Sequence, residues 1–163
     1  MTTMKKITIE SQFEVFDNLN ELDNTIQLLF EKAEEARQKA YAPYSKFLVG
    51  CSLLLDNGEI IKGNNQENAS YPSGLCAERT AIYYAGAEFP NAKVLKMAII
   101  AGSQNQKTDK PIPPCGACRQ AVFEYEDKQD QPIDMFFKGE FGQILRSSSL
   151  ANMLPLTFNK SFL

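Results

Sequence analysis

Apolar residues at Leu22, Ile26, Leu29, Phe30, Ala33, Ala36 and Ala40 recur at the helical period behind cap-forming Asn and Asp residues, predicting a helix from Asn18 or Asn20 to about Tyr41. Pro43 stops it. Val49 to Leu55, Asp56-Asn57-Gly58 and Glu59 to Lys62 then read as a hairpin, because Asn-Gly accepts the positive φ of a tight turn. A polar stretch from Gly63 to Gly74 leads into a second helix that begins near Cys76 and carries Ala81, Ile82 and Ala85. The apolar run Val94 to Ala101 follows as a buried strand and completes a β-α-β unit. After a long loop, the prolines of Pro111-Ile112-Pro113-Pro114 precede a third helix from Gly116 to about Glu126. Pro132 to Phe137 and Gln143 to Arg146 read as short strands, and Ser149 to Leu154 as a closing helix. The fold class is α/β, with about five strands and helices on both faces.

The first 17 residues stand apart from this pattern. Their brief alternation, Ile7, Ile9 and then Phe13, Val15, suits a short strand or an arm lying on a neighbour. No repeat or linker divides the rest, so residues 18–163 are expected to form one domain behind a 1–17 extension. A net charge of -3 gives no basic footprint for nucleic acid or for an anionic membrane surface. The amino terminus lacks the apolar core of a signal peptide and no run is long enough to span a bilayer, which predicts a cytoplasmic protein. In that reducing setting the 4 cysteines are expected to be free, metal-bound or catalytic.

The chain contains no histidine. That excludes every triad, nucleophile pair and metal site built on imidazole, and leaves sulfur and oxygen as the metal ligands. Two segments stand out against this background: Cys76-Ala77-Glu78 and Pro114-Cys115-Gly116-Ala117-Cys118. Each falls at the first turn of a predicted helix, where unpaired amides and the helix dipole favour thiolates. Cys115 and Cys118 are i and i+3 neighbours, and with Cys76 three sulfurs can converge. Three protein ligands leave the fourth position of a tetrahedral zinc open, as in a catalytic site. A carboxyl group two residues from one ligand, Glu78, is placed to move protons. Three thiolates give the ion a formal charge of -1, so a cation is expected nearby. Arg79 is favoured over Arg119 for that task.

This C-x-E and P-C-x-x-C pair resembles the zinc-dependent cytidine deaminase superfamily. The resemblance extends through Tyr41-Ala-Pro-Tyr-Ser-Lys-Phe47-Leu-Val-Gly50, Gly63-Asn-Asn-Gln-Glu-Asn-Ala69, Cys76-Ala-Glu-Arg79 and Pro114-Cys-Gly-Ala-Cys-Arg-Gln120, blocks similar to those of the small homotetrameric enzymes acting on free nucleosides. It covers roughly Leu22 to Phe158. It implies a three-layer α-β-α fold and one zinc per subunit on Cys76, Cys115 and Cys118, with Glu78 as general acid/base. It further implies that Asn65 and Glu67 hold the ribose hydroxyls, that Phe47 packs on the base and that the Ala77 backbone meets the pyrimidine edge. Tyr71 and Phe158 match positions that reach a neighbouring subunit's site. The reaction implied is hydrolytic deamination of cytidine, and of deoxycytidine, at C4 to uridine or deoxyuridine and ammonia, a step of pyrimidine salvage.

Other readings stay open on the residues alone. Cys-x-x-Cys by itself also fits a redox pair or half of a structural zinc site. Phe47 and Phe158 fit core packing, Asn65 and Glu67 fit turn chemistry, and Cys51 reads as a small buried hydrophobe. Cys51 and Pro113 stand where the family usually or often has Ala and Ser. The rival functions are deamination of another aminated base, nucleoside, nucleotide or polynucleotide, and zinc-stabilised binding without turnover.

Overall fold

The computed structural model describes residues 4–163. Residues 1–3 of the expected 1–17 extension lie outside the described residues. The first long helix, α1, spans Asn24–Arg37, shorter than the periodicity predicts at both ends. Its cap is Asp23, whose carboxylate accepts the Ile26 amide at 2.9 Å, while Leu19–Glu21 forms a separate 3-10 turn capped by Asn18. Asn18, Asn20 and Asp23 are all competent caps, and hydrophobic periodicity offers no means of choosing among them. The expected hairpin forms as β2, Phe47–Leu55, and β3, Ile60–Asn64, turning through Gly58 at φ 88°.

Helix α2, Ala77–Glu88, carries the chain to β4, Val94–Ser103, and α3, Gly116–Gln129, carries it to β5, Asp134–Gly139. Strand β6, Ile144–Ser147, and the one-turn helix α4, Leu150–Met153, close the fold. A sixth strand, one more than expected, comes from the extension: β1, Glu14–Phe16. The sheet runs β1-β6-β5-β4-β2-β3, antiparallel except where β4 pairs with β5 across the α3 crossover.

Each face of the sheet is buried under helices. Ile26, Leu29, Phe30 and Ala33 of α1 pack with Ala98, Ile100, Phe136 and Ile144 on one side. On the other, Ala81, Ile82, Val122, Phe123, Leu150 and Met153 pack with Leu53, Met97, Ile99, Met135 and Phe137. Successive β4 residues thus serve opposite cores, which is why its sequence reads as an unbroken apolar run. The buried Glu126 fastens α3 to α4: its carboxylate accepts the amides of Ile133 and Leu150 at 2.8 Å and of Ala151 at 3.1 Å.

In the extension, Gln12 and Asn152 exchange two hydrogen bonds, Phe13 meets Phe137 edge-on, and β1 pairs with β6. Arg146 on β6 donates to both carboxylate oxygens of Glu14 at 2.8 Å and to Asp134 at 2.7 Å. Ile7 and Ile9, by contrast, are exposed and outside any strand.

Gly63 sets how closely α2 approaches the sheet. A Cβ there would stand 2.5 Å from the Ala77 carbonyl oxygen and 2.6 Å from the Ala81 amide nitrogen, both backbone atoms with little room to yield. Gly63→Ala is therefore expected to destabilise the fold by about 1–3 kcal/mol through overpacking. A thermal melt reads it as a fall of several degrees in Tm, and an unchanged Tm would show that α2 can shift freely.

Candidate active site

Both α2 and α3 begin at a cysteine. Cys76 and Cys115 occupy the N-cap positions in extended backbone conformation, and neither side chain caps its own helix, so both sulfurs remain available. The Cys115 Sγ lies 4.0 Å from that of Cys76 and 3.5 Å from that of Cys118, one turn into α3. All three sulfurs fall within 4.8 Å of one another. Sulfurs held about 2.3 Å from a tetrahedral zinc stand about 3.8 Å apart, so the cluster fits such an ion with only small adjustments. Cys51, the remaining cysteine, is fully buried in β2 and does not join the cluster.

The sulfurs and Arg79 act on one another electrostatically. Hydrogen bonding to Cys118 and then to Arg79 outweighs burial and pulls the Cys76 thiol down to about 5. The same bond to Cys76, together with burial, pushes Cys118 up. The guanidinium Nη2 of Arg79 donates to the Cys76 sulfur at 3.7 Å, the contact expected of a cation that offsets thiolate charge. Glu78 is only 5% exposed, and desolvation raises its carboxyl pKa above the ordinary carboxylate value.

A cleft of about 570 Å³ opens onto the sulfurs. Its walls include Phe47, Asn65, Glu67, Tyr71, Cys76, Glu78, Arg79 and Cys115, so most residues singled out in the sequence come together. Asn65 leaves the end of β3 and turns its side chain onto β2, its Oδ1 accepting the Val49 amide at 2.8 Å and its Nδ2 donating to the Phe47 carbonyl at 2.9 Å. Glu67 braces the preceding turn: Oε2 accepts the amides of Tyr44 at 2.9 Å and Ser45 at 3.3 Å. Burial pushes the Glu67 carboxyl up, and donors from Ser45 and Tyr44 more than reverse it, leaving a carboxylate.

Three of the expected residues lie off the cleft wall. Cys118 and Ala77 are fully buried behind it. Phe158 is 57% exposed, stacks on Phe162 and is held by its carbonyl to the Gln120 side chain, away from its own chain's cleft. Tyr71 sits on the rim of its own chain's cleft, 6.1 Å from Tyr44 between ring centres. Tyr44, Leu75 and Ile112 line the cleft without having been singled out. Tyr44 lies inside one recognised motif, and Leu75 and Ile112 lie within two residues of others, so all three could have been found there.

Residues 23–130 match the sequence model of the cytidine and deoxycytidylate deaminase zinc-binding region. The chain belongs to this family. Among deaminase relatives, it is 47% identical over 98 residues to a cytidine deaminase of Halalkalibacterium halodurans, covering 60% of this chain and 70% of the relative. It is 35% identical over 136 residues to that of Sporosarcina psychrophila, covering 83% and 92%. The fold is similar to the crystal structure of the Burkholderia pseudomallei cytidine deaminase, with a TM-score of 0.70 and 36% identity over 81% of this chain and 98% of that one. The Mycobacterium tuberculosis cytidine deaminase superposes with a TM-score of 0.64 and 28% identity, covering 83% and 98%. Zinc is accordingly the metal of this deaminase-family chain, and the three-sulfur cluster suits its preference for thiolates.

Proposed function

We propose that this chain hydrolyses cytidine and deoxycytidine to uridine or deoxyuridine and ammonia, using one zinc per subunit on Cys76, Cys115 and Cys118. The observation that carries the proposal is the buried Glu78 beside three converging sulfurs at the floor of a cleft large enough for a nucleoside. Bound zinc supplies Lewis acidity, which brings the pKa of a water into the neutral range. Glu78 takes one proton from the attacking water and delivers it to the ring nitrogen beside C4, then takes the second from the hydroxyl newly formed at C4 and delivers it to the departing amine. Water adds at C4, ammonia leaves, and the atoms balance.

The other residues bind and orient. Phe47 offers its ring to the base and the Ala77 backbone meets the pyrimidine edge. Glu67 Oε1 and the second Nδ2 hydrogen of Asn65 are left for the ribose hydroxyls, since their partner atoms are already engaged with the backbone. Arg79 holds the Cys76 sulfur and drains its charge.

The assembly is a homotetramer whose sites are completed by neighbours. The exposed Phe158, facing away from its own cleft, supports this reading, as does Tyr71 at 75% exposure on the cleft rim. Residues 18–163 are the catalytic body and 1–17 an extension that adds an edge strand. Four free cysteines are consistent with the reducing cytoplasm, and no helix among the described residues is long and apolar enough to cross a membrane.

Arg79 is the one Lys or Arg among the cleft-lining residues, and Cys76 already occupies it. A free nucleoside is therefore expected to be used at least about tenfold better in kcat/KM than its 5′-phosphate, because a buried phosphate would lack a charged partner. Zinc-loaded protein given cytidine and its 5′-phosphate separately, with product followed by absorbance, tests both points. Absence of uridine would reject the activity, and faster use of the phosphate would reject the nucleoside as substrate.

A further inference from the structure

Asn65 has a second task that lies in the hydrogen bonds of the sheet itself. The β2–β3 ladder ends in register at Gly50 and Asn64. Beyond that point β3 stops, yet the β3-facing backbone groups of Val49 and Phe47 still need partners. Ser45 Oγ accepts the Phe47 amide at 3.0 Å, and Asn65 provides the other three. Its backbone amide donates to the Val49 carbonyl at 3.2 Å, its Oδ1 accepts the Val49 amide at 2.8 Å, and its Nδ2 donates to the Phe47 carbonyl at 2.9 Å. The side-chain amide thus acts as a surrogate peptide, continuing the ladder to the residue whose ring lines the cleft. Phe47 needs such a tether because it begins β2, directly after Lys46, which is held at φ 57° in the left-handed region.

We infer that Asn65 is a positioning residue for Phe47, fixing the backbone from which the aromatic ring meets the base, independently of any grip on ribose. The inference rests on the nucleoside reading above for the identity of the base. It deepens that reading by assigning to one residue a contribution that survives removal of the ribose hydroxyls. Pairing with β4 holds the other edge of this segment, and the two side-chain bonds of Asn65 hold the β3-facing edge, so their loss is expected to be worth about tenfold in the population of the aligned backbone.

Two measurements on the full-length, zinc-loaded protein test the inference. The first is amide hydrogen exchange without ligand. In Asn65→Ala the Val49 amide is expected to exchange at least about tenfold faster while Ile99, in the centre of β4, keeps its protection. Unchanged exchange at Val49 would overturn the inference whatever the protein's activity. The second compares turnover of cytidine with that of 2′,3′-dideoxycytidine, which lacks the 2′- and 3′-hydroxyls assigned to Asn65. A positioning role predicts that Asn65→Ala loses about tenfold or more in kcat/KM on both substrates. A role confined to the ribose predicts loss on cytidine alone, and that result would also overturn it. Should the alanine variant fail to fold, the nearly isosteric Asn65→Asp keeps the acceptor for Val49 and loses the donor to Phe47. It is expected to keep Val49 protected and still to lose turnover of the dideoxy substrate, and wild-type turnover there would count against the inference. Failure of the nucleoside reading is separately visible as wild-type protein that forms no uridine, an outcome that leaves the exchange measurement decisive for the tether.

Discussion

Glu78→Gln is expected to reduce turnover of cytidine by about 10³-fold or more while zinc stays bound. The substitution preserves volume and one carbonyl oxygen but removes the group that accepts and returns protons, and general acid–base catalysis by one residue is worth about 10²- to 10⁴-fold. The effect should sit at the upper end because no histidine exists to take over and no second carboxyl group is as deeply buried at the cleft. The three sulfurs are untouched, so metal analysis should return one zinc per chain. Stability should not fall either. Burial raises the Glu78 pKa, so ionisation above the usual carboxylate range works against folding, and a neutral glutamine removes that penalty. Retention of turnover within tenfold of wild type would remove Glu78 from the mechanism, and zinc-free variant protein would mean that it serves the metal instead.

The second large effect concerns the metal. Cys115→Ser is expected to leave the protein without stoichiometric zinc and without measurable deamination, since hydroxyl oxygen is a much poorer zinc ligand than thiolate. Stability should follow. A ligand present at about 100 times its dissociation constant stabilises the folded state by about 2.7 kcal/mol. For a domain of this size that raises Tm by roughly 5–10 °C. Wild-type protein stripped by a chelator should show the lower Tm and recover on adding zinc, whereas the variant should melt at the stripped temperature and ignore added zinc. Cys51→Ala is the control: its sulfur is buried outside the cluster, and zinc content should be unchanged. A serine variant that binds zinc normally would disprove the ligand assignment.

Much of this site could be read from the amino acids because its chemistry is local. Cys76, Glu78, Cys115 and Cys118 sit within a turn of two helix starts, so their spacing brings three sulfurs and a carboxyl group together. The missing histidine narrows a metal's ligands to sulfur and oxygen, and the convergence of three cysteines points to sulfur. Elements with strong periodicity or turn chemistry, such as α1 and the Asn57-Gly58 hairpin, were equally visible. What escaped depends on contacts distant in sequence. Three residues of β1 alternate too briefly to be distinguished from the exposed Ile7 and Ile9 until β6 pairs with them. Asn65 carries no mark of its bonds to Val49 and Phe47, because their existence depends on where β3 ends. Phe158 is one aromatic among 11 phenylalanines, and only family resemblance separated it from core packing.

The edge strand contributed by the extension has a consequence for solubility. Without β1, the outward backbone groups of Ile144–Ser147 would form an open margin beside the apolar β5, the kind of surface onto which another chain can add a strand. With β1 in place the margin is three residues long and carries Glu14, whose carboxylate is paired with Arg146 directly across the ladder. A strand of three residues with an ion-paired carboxylate is a poor template for further growth, so β1 turns an open margin into a blunt one.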